Sequence, residues 1–477
     1  MIWQDSYLII LKPYSHHLNR QSAILIFDIG KTTKKVLVFD YQFHVLDEQT
    51  VTFPEIPDDD GFPSDDLVRI SAWVVEKYRE YVTKPEYLIT HCNVSGYGAS
   101  LVNLDEKDQL LRPFYNYLKP FQGEGAEKFA AQYNQGKAVC VATASPYLGL
   151  LNSGLQLYWQ KVEKPAYFKR IATTLHLPQY LAWLLNGQLF SEITSVGCHT
   201  MLWDYTTKAY HSWVTQEELD KLLPPLAATT HIIEKAEASG PVKIGVGVHD
   251  SSAALMPYLA TQHEPFLLLS TGTWNICFNP FNDEPLTDQE LAADCLCYLT
   301  YEGKPVKASR IFLGHEHEVQ LNRLMQYFHV GADEFKRLRF NPDVYERLDA
   351  PNAVPRPFYP MGMENTGPLP EKSLKDTHLE NFADFEEAYH QLIRYLVTWQ
   401  LISVGLVDPD HAIQQVIVVG GFTKNTLFLE TMKRMMNTRK VLISDHPRAS
   451  ALGAAWLVCD KEMYTHQQHL LSVSPYV

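Results

Sequence analysis

Two short segments of this 477-residue chain repeat one plan, about half a chain length apart. In residues 24–39 and again in residues 266–278, an apolar run leads into a polar turn that contains a glycine and continues into a second apolar run. This pattern predicts a β-hairpin whose turn exposes hydroxyl and amide groups. Because the turn glycines, Gly30 and Gly272, lie 242 residues apart, the repeat predicts two similar lobes that face each other.

The length and the order of the elements indicate how the chain divides. The chain is about three times as long as a typical single domain, so we expect two domains. Between the hairpins, helical patterns such as residues 67–81 alternate with strand-like runs such as residues 87–90, which favours an α/β fold. We divide the chain into an N-terminal extension (residues 1–21), a first lobe (residues 22–255) and a second lobe (residues 256–477).

Charge and cysteine content exclude several classes of protein. The 55 acidic residues outnumber the 41 basic ones, giving a net charge of −14, whereas a general nucleic-acid binder has a basic excess. The seven cysteines are scattered and form no CxxC pair, which argues against a disulfide framework or a zinc ribbon and predicts a cytoplasmic protein. No apolar run approaches the roughly 18–20 residues of a membrane span, so we expect no membrane partner.

The turn of the first hairpin contains part of a nucleotide-binding pattern. Its Gly-Lys-Thr resembles the end of a Walker A loop, but Leu25 occupies the position of the first glycine, and a strand follows instead of a helix. The better interpretation is a hairpin turn whose amides and hydroxyls, with Lys31 or Lys35, surround phosphate oxygens. Asp28 at the end of the strand would then hold Mg²⁺ through water.

Asp250 follows a short strand and precedes a run of small residues, 251–254. A carboxylate at such a position can accept a proton from a hydroxyl that enters a cleft. It can equally cap the helix that follows. This segment alone leaves both interpretations open.

A glycine pair, Gly420-Gly421, follows the buried strand predicted for residues 415–419 and precedes a helix. Paired glycines at such a turn allow a flat ring or a ribose to approach the backbone closely, although a simple tight turn explains them equally well. Further on, the small residues of segment 449–456 predict a helix that packs closely against its neighbour.

Taken together and in this order, these elements resemble the FGGY family of carbohydrate kinases, within the actin-like ATPase superfamily. Residues 28–35 are similar to the first phosphate motif of the family, and residues 270–274 to its second. Residues 247–250 match its GxHD segment, whose aspartate is the family's catalytic base. Gly420, Gly421 and Asn425, followed by the helix at 451–455, match its adenosine region. The resemblance covers roughly residues 23–460.

The resemblance implies an α/β fold of two actin-like (ribonuclease H-like) lobes with a nucleotide and sugar cleft between them. It implies a phosphotransferase that moves the γ-phosphoryl group of ATP to a hydroxyl of a small sugar, with Mg²⁺ as cofactor. The expected partners are therefore the sugar and ATP, with no nucleic acid and no membrane, and the assembly is a monomer or a homodimer.

The resemblance also assigns roles to residues by their positions in the motifs. Asp250 is the catalytic base and, with Asp28, a metal ligand. The residues implied to bind ATP and its phosphates are Thr32, Thr33, Lys35, Thr271, Gly272, Thr273, Gly420, Gly421 and Asn425. Residues 95–105 are similar to a family segment that lines the sugar pocket, so the residues implied to bind the sugar are Tyr97, Gly98, Ala99 and Asp250.

Departures from the family pattern fall mainly where the sugar would bind. Lys31 stands where a small or hydroxyl residue is usual, Ala99 where a bulky residue is common, and Tyr117 where an aspartate ends the usual Trp-Asn-Asp. The Ser-x-Gly-Thr-Trp pattern of residues 270–274 is most similar to that of the rhamnulokinase and fuculokinase branch. It favours a 6-deoxy-ketose such as L-rhamnulose or L-fuculose.

Other functions remain open from the sequence. One is a kinase for xylulose, ribulose, glycerol or another polyol. A second is a non-catalytic regulator that binds sugar or nucleotide on the same fold, and a third is an actin-like filament protein. The intact Asp250 argues against the regulator, and the sugar-pocket segment argues against the filament.

Two further segments suggest metal sites, and we predict a solvated surface for both. Residues 314–318 read Gly-His-Glu-His-Glu, but closely spaced histidines and glutamates at the start of a helix usually face solvent. The acidic run in residues 55–66 lacks the spacing of a calcium loop and is typical of an exposed loop.

Overall fold

The computed structural model describes residues 20–133, 136–350, 354–363, 366–369 and 375–476. Each half of the chain builds one seven-stranded sheet. The strands of the first sheet are β1 (Gln21–Ile29), β2 (Lys34–Phe39), β3 (Val45–Val51), β4 (Tyr87–Gly96), β5 (Ile232–Glu237), β6 (Gly240–Gly245) and β7 (Val248–His249). Those of the second are β8 (Leu267–Thr271), β9 (Asn275–Asn279), β10 (Cys295–Leu299), β11 (Pro305–Ile311), β12 (Gln415–Gly420), β13 (Lys440–Ile443) and β14 (Ser474–Pro475).

The two sheets are alike at their centres. The first runs β5-β6-β4-β1-β2-β3, with β7 also paired to β4, and the second runs β10-β11-β9-β8-β12-β13-β14. In each sheet an antiparallel hairpin, β1–β2 or β8–β9, has a parallel strand on its other side, β4 or β12. Both hairpins and the two-lobed α/β fold predicted from the sequence are therefore confirmed.

Helices cover both sheets. Eight of them are labelled α1 (Leu67–Thr83), α2 (Ser153–Glu163), α3 (Leu177–Asn186), α4 (Asp250–Thr261), α5 (Leu313–Phe328), α6 (Phe385–Val407), α7 (Thr426–Met435) and α8 (Ala449–Trp456). The other helices are Glu124–Gln132, Lys137–Ala142, Pro165–Phe168, Ile193–Val196, Ser212–Gln216, Asp288–Ala292, Glu334–Arg337 and Pro342–Asp349. The short strand pairs are Ile56–Pro57 with Pro63–Ser64, Leu101–Leu104 with Thr173–His176, Ser191–Glu192 with Leu226–Ala227, and Trp203–Asp204 with Ala209–Tyr210.

The sequence explains the central strand of the first sheet. From Ala23 to Phe27 every residue of β1 is apolar and fully buried. A strand that is apolar on both faces suits a sheet with parallel pairing and with structure packed against both sides. The first 19 residues of the predicted N-terminal extension lie outside the described residues, and Gln21, its last residue, begins β1.

The two lobes meet where helix α4 crosses helix α8. A Cβ atom on Gly453 of α8 would lie 1.9 Å from the carbonyl oxygen of Ala253 in α4, so the two backbones touch. The small-residue helix therefore does pack closely, as its composition predicts. One apolar cluster includes side chains from both lobes, among them Ile26, Leu268 and Trp456. No helix in the described part of the chain is both long and apolar enough to span a bilayer.

Candidate active site

Two carboxylates lie at the junction of the lobes. Asp28 is near the end of β1, and its Oδ1 accepts a hydrogen bond of 3.0 Å from the hydroxyl of Ser450 in α8. Asp250 is the first residue of α4, and its Oδ1 accepts a hydrogen bond of 3.3 Å from the Ser251 hydroxyl. The N-cap of α4 is His249, so capping does not explain the aspartate. The Asp250 side chain is one-third exposed.

Burial raises the pKa of both carboxylates, so each holds a proton more tightly than an exposed aspartate does. It raises the pKa of Asp28 to about 6, against the hydrogen bond from Ser450, and the charge of Asp250 raises it further. Burial likewise raises the pKa of Asp250 to about 6, and hydrogen bonds from Ser251 oppose the rise. A carboxylate with a pKa near 6 is ionised at neutral pH and still binds a proton readily, as a general base must.

The first hairpin turn is closed by its own backbone, with the Gly30 amide donating to the Thr33 carbonyl over 3.0 Å. Lys31 does not turn toward the other lobe. Its ammonium lies 2.5 Å from Asp65 and 2.9 Å from Glu55. Lys35, whose charge lowers the pKa of Asp28, lies 4.0 Å from Glu48. Of the two candidate lysines, Lys35 is therefore the one close to the paired carboxylates.

The second hairpin turn and the glycine pair form one unit. The Thr271 hydroxyl donates to the Val419 carbonyl over 2.6 Å and accepts from the Phe422 amide over 3.0 Å. Gly420 has a φ of +90°, and a Cβ there would lie 2.0 Å from the Thr271 carbonyl oxygen. At Gly421 the nearest atom to such a Cβ is 3.9 Å away. Gly420 is therefore required by the turn, whereas Gly421 leaves open space.

A cleft of about 520 Å³ opens beside this unit. It is lined by the second turn, the glycine pair and the start of α7, including Gly272, Thr273, Gly421, Phe422, Lys424 and Asn425. The Asn425 side chain accepts from the Phe428 amide over 3.0 Å, capping α7, and donates to the Tyr389 hydroxyl over 2.9 Å. Asn425 therefore shapes the wall of the cleft through contacts within the protein.

The Gly-His-Glu-His-Glu segment contributes Gly314 and His317 to the lining of the same cleft. The prediction that it faces solvent was wrong for Glu316 and His317. Glu316 is fully buried, and its carboxylate accepts from the Gly362 amide over 2.7 Å. His317 lines the cleft and lies 3.1 Å from the Tyr389 hydroxyl. A Cβ on Gly314 would lie 1.8 Å from the Gly272 carbonyl, so this glycine lets α5 approach the second turn.

A second cleft, of about 400 Å³, continues toward the carboxylates. Its lining includes Ser251, Ser270, Gly421, Lys424 and Ser450. Gly421 and Lys424 line both clefts, so the two clefts adjoin. Ser450 and Ser251 are the hydrogen-bond donors to Asp28 and Asp250, so this cleft ends beside the paired carboxylates.

The structure thus brings most of the predicted nucleotide residues together. Gly272, Thr273, Gly421 and Asn425 line the larger cleft, Gly420 and Gly421 the smaller one, and Thr271 holds the turn between them. Neither cleft includes Thr32, Thr33 or Lys35 among its lining residues.

The predicted sugar residues lie at the end of β4, close to Asp250. Tyr97 is buried and donates to Asp65 over 2.9 Å. Gly98 passes so near His249 that a Cβ would lie 2.4 Å from Nε2 of the ring. Ala99 is buried with a φ of +65°, and its carbonyl accepts from Gln156. Gly98 and Ala99 therefore fix the course of the backbone here.

The acidic loop is not the freely solvated segment that its composition suggested. Asp58 and Asp65 are buried, and Lys119 lies 2.6 Å from Asp58. Asp65 also lies 3.1 Å from the buried Lys34 and accepts from Tyr97. The loop therefore anchors the first hairpin turn, because lysines neutralise its buried carboxylates.

Sequence reasoning missed Asp65, Ser450, Gly314 and His317. The small-residue pattern of segment 449–456 singled out the helix that contains Ser450. Nothing in the sequence linked Ser450 to Asp28, which lies 422 residues away. His317 belongs to a segment that had been singled out but was given the wrong environment.

Comparisons with known proteins address the family and the fold of the chain. The sequence model of the FGGY family of carbohydrate kinases, N-terminal domain, matches residues 23–255, and that of the carbohydrate kinase FGGY C-terminal domain matches residues 263–468. A search of curated proteins returned no match.

Solved structures with the same fold include three sugar or polyol kinases. A carbohydrate kinase from Novosphingobium aromaticivorans is 23% identical with a TM-score of 0.77, and the match covers 92% of this chain and 91% of that one. A xylulose kinase from Lactobacillus acidophilus is 16% identical with a TM-score of 0.74, covering 96% and 93%. A Plasmodium falciparum glycerol kinase with ADP is 15% identical with a TM-score of 0.73, covering 94% and 92%.

The two family matches follow one another along most of the chain and fall on the two lobes. The resemblance noticed in the motifs and the matching fold point the same way. The chain belongs to the FGGY family of carbohydrate kinases, enzymes that transfer a phosphoryl group to an alcohol acceptor.

Proposed function

We propose that this kinase transfers the γ-phosphoryl group of ATP to a hydroxyl of a small ketose bound beside Asp250. One observation carries the proposal. The larger cleft, which is lined by the glycine pair and Asn425, adjoins a smaller cleft that ends at the paired carboxylates Asp28 and Asp250. The second turn contributes Gly272 and Thr273 to the larger cleft and Ser270 to the smaller one, so a nucleotide whose adenosine lay in the larger cleft would carry its phosphates past this turn toward the carboxylates.

Asp250 is the general base in this proposal. It is partly exposed, and burial raises its pKa to about 6, so its ionised form can take the proton of the attacking hydroxyl. The amides of the second turn, with Thr273, bind phosphate oxygens, and Lys35 supplies a positive charge near Asp28. Phosphoryl transfer depends mainly on such positioning and charge stabilisation.

The paired carboxylates fit a magnesium ion. Asp28 and Asp250 are close enough that the charge of Asp250 raises the pKa of Asp28, and such a pair is stabilised by a cation. Both offer the oxygen ligands that Mg²⁺ prefers. Asp28, with Asp250, would hold the ion, which supplies charge neutralisation on the phosphate oxygens when it is bound. We place the enzyme in the cytoplasm, where its free thiols are kept reduced.

The acceptor we propose is a 6-deoxy-ketose of the L-rhamnulose or L-fuculose type. Tyr117 replaces an acidic residue of the family pattern, and it lies close enough to Asp250 for that charge to influence its pKa. Its ring centroid is 6.1 Å from that of Tyr97. An aromatic ring in place of a carboxylate, with the Tyr97 ring beside it, suits a sugar that carries a methyl group where others carry a hydroxyl.

The test is an ADP-coupled assay with purified enzyme, ATP, Mg²⁺ and a panel of L-rhamnulose, L-fuculose, xylulose, ribulose, glycerol and gluconate. We expect sugar-dependent ADP release, with the highest kcat/KM for a 6-deoxy-ketose. A best rate with xylulose or gluconate would overturn the acceptor class but not the kinase. A rate that no sugar raises above the ATPase background would overturn the proposed function itself.

A further inference from the structure

Three metal-ligating side chains lie together next to Asp250, and the mechanism proposed above uses none of them. They are Cys198, His199 and His249, and one ligand atom from each lies within 4.8 Å of the others. All three residues are more than nine-tenths buried. His249 is the last residue of β7, whereas Cys198 and His199 follow the short helix Ile193–Val196. The three side chains therefore come from two separate parts of the first lobe.

Two ring nitrogens of this cluster have no hydrogen-bond partner. Nδ1 of His199 and Nδ1 of His249 are both buried and unpaired. A buried polar atom without a partner costs free energy and calls for an explanation. A cation bound through Nδ1 would supply one for His199. His249 faces Cys198 and Asp250 with its other nitrogen, Nε2, so its Nδ1 is not a ligand atom.

The distances around His249 are those of ligands on one cation. Its Nε2 lies 3.4 Å from Cys198 Sγ and 3.7 Å from Asp250 Oδ1. Ligand atoms on a tetrahedral zinc ion are about 3.3–3.8 Å apart, given zinc bonds of about 2.0–2.3 Å. The planes of the His199 and His249 rings lie at 86° with centroids 6.5 Å apart, so one ring points its edge toward the other.

We propose that Cys198, His199 and His249 form a binding site for one thiophilic divalent cation of the zinc class, with the Asp250 carboxylate as its fourth ligand. Cysteine and histidine donors select such a cation over Mg²⁺, which prefers oxygen. The cation enters past the partly exposed Asp250, and the thiol proton of Cys198 leaves to solvent when the cation binds.

Occupancy would block catalysis, a consequence that rests on the proposed function. Directly bound zinc, a stronger Lewis acid than Mg²⁺, would hold the carboxylate toward the buried cluster and make it a poorer base for the sugar hydroxyl. The site would therefore act as an inhibitory site, which free zinc fills and which a chelator empties. Binding and inhibition can be measured separately, so failure of one is distinguishable from failure of the other.

Binding is tested with Co²⁺, which replaces zinc and absorbs light. Full-length protein without nucleotide is titrated with Co²⁺, and the thiolate-to-cobalt charge-transfer band is recorded. We expect a band that saturates at one ion per chain, that Zn²⁺ displaces and that Mg²⁺ does not. No band, or saturation well below one ion per chain, would overturn the site.

Matched variants locate the ligands. Cys198→Ser should abolish the charge-transfer band, whereas Cys140→Ser, which removes another buried thiol of the same lobe, should leave it intact. His199→Gln should weaken Co²⁺ binding at least tenfold and provides a second variant if the serine variant does not fold, as judged from its thermal midpoint. A band that persists in a folded Cys198→Ser protein would show an adventitious ion only.

Inhibition is tested with sugar, ATP and excess Mg²⁺ at zinc concentrations set by a metal buffer. The ratio of rates with and without zinc is compared within each variant, so a change in basal rate does not matter. We expect at least a tenfold loss of rate in the wild-type enzyme, restored by chelation, and little loss in Cys198→Ser. Full activity at saturating zinc would overturn Asp250 as the fourth ligand.

Discussion

Ser450 donates a hydrogen bond of 3.0 Å to Asp28 although 422 residues of sequence separate the two. The bond joins the start of helix α8 to the end of strand β1. Close by, Arg448 lies 2.7 Å from Glu48 of β3, so one short segment of the second half of the chain makes two polar contacts with the first sheet. The environment of the candidate metal ligand Asp28 therefore depends on how the two lobes are placed.

Replacing Asp250 with asparagine should abolish phosphoryl transfer without weakening the fold. Positioned general bases contribute about 10²- to 10⁴-fold to rate, so kcat should fall by at least that order. At pH 7 the wild-type enzyme holds an ionised carboxylate that burial disfavours, so the thermal midpoint of Asp250→Asn should equal or exceed that of the wild type. Measurement of kcat and the midpoint on one preparation checks both. A normally melting variant with more than about a tenth of wild-type kcat would remove Asp250 from catalysis.

Gly421→Val should raise the KM for ATP and leave the KM for the sugar little changed. Gly421 lines both clefts and has open space beside it, so the new side chain would enter the region where we place the nucleotide. Gly421→Ala is the matched control and should have a smaller effect, since its Cβ would lie 3.9 Å from the nearest atom. Steady-state kinetics with each substrate varied in turn decides the question. An equal rise in both KM values would mean that the nucleotide does not lie against this turn.

The pH dependence of kcat/KM should show an acid limb near pH 6. Because burial raises the pKa of Asp250 to about 6, its ionised, active form is lost as the pH falls through 6, not through 4 as for an exposed aspartate. Below pH 6 the rate should drop about tenfold per pH unit. Ser251→Ala removes a hydrogen bond that lowers this pKa, so it should move the limb to higher pH. A limb near pH 4 in both enzymes would contradict the assignment.

Gly453→Ala should destabilise the protein. Its Cβ would lie 1.9 Å from the Ala253 carbonyl, so helices α4 and α8 must move apart. Overpacking of this kind costs about 1–3 kcal/mol, which should lower the thermal midpoint by several degrees. Gly405→Ala in helix α6 is the control, because a Cβ there meets nothing within 4 Å, and its midpoint should stay level or rise. Differential scanning calorimetry of the two variants provides the comparison.

Local patterns were enough to predict the fold and the order of its motifs. The hairpins at Gly30 and Gly272 follow from apolar runs on either side of polar turns, and the small residues around Gly453 follow from the need for close helix packing. Helix α1 begins at Leu67 as its periodicity predicts, but it continues to Thr83, two residues beyond the predicted end. These features depend on neighbours in sequence, so a single chain reveals them.

Contacts distant in sequence could not be predicted in this way. The burial of Glu316 depends on backbone amides at residues 361 and 362, which fold over it from another segment. Lys31 looked suited to phosphate, but Asp65, 34 residues further on, binds it instead. The composition of a segment does not show which other segments pack against it. In the folded protein, Glu316 and Lys31 are bound by groups that are distant in sequence.

The contact between Gly453 and Ala253 has a mechanical consequence. At that point the two helices meet through backbone atoms, because a glycine of one helix lies against a peptide carbonyl of the other. Around it, side chains of both helices, among them Met256 and Leu452, share one buried apolar cluster. Closely packed groups transmit small displacements, so a movement of one helix at this contact must carry the other with it.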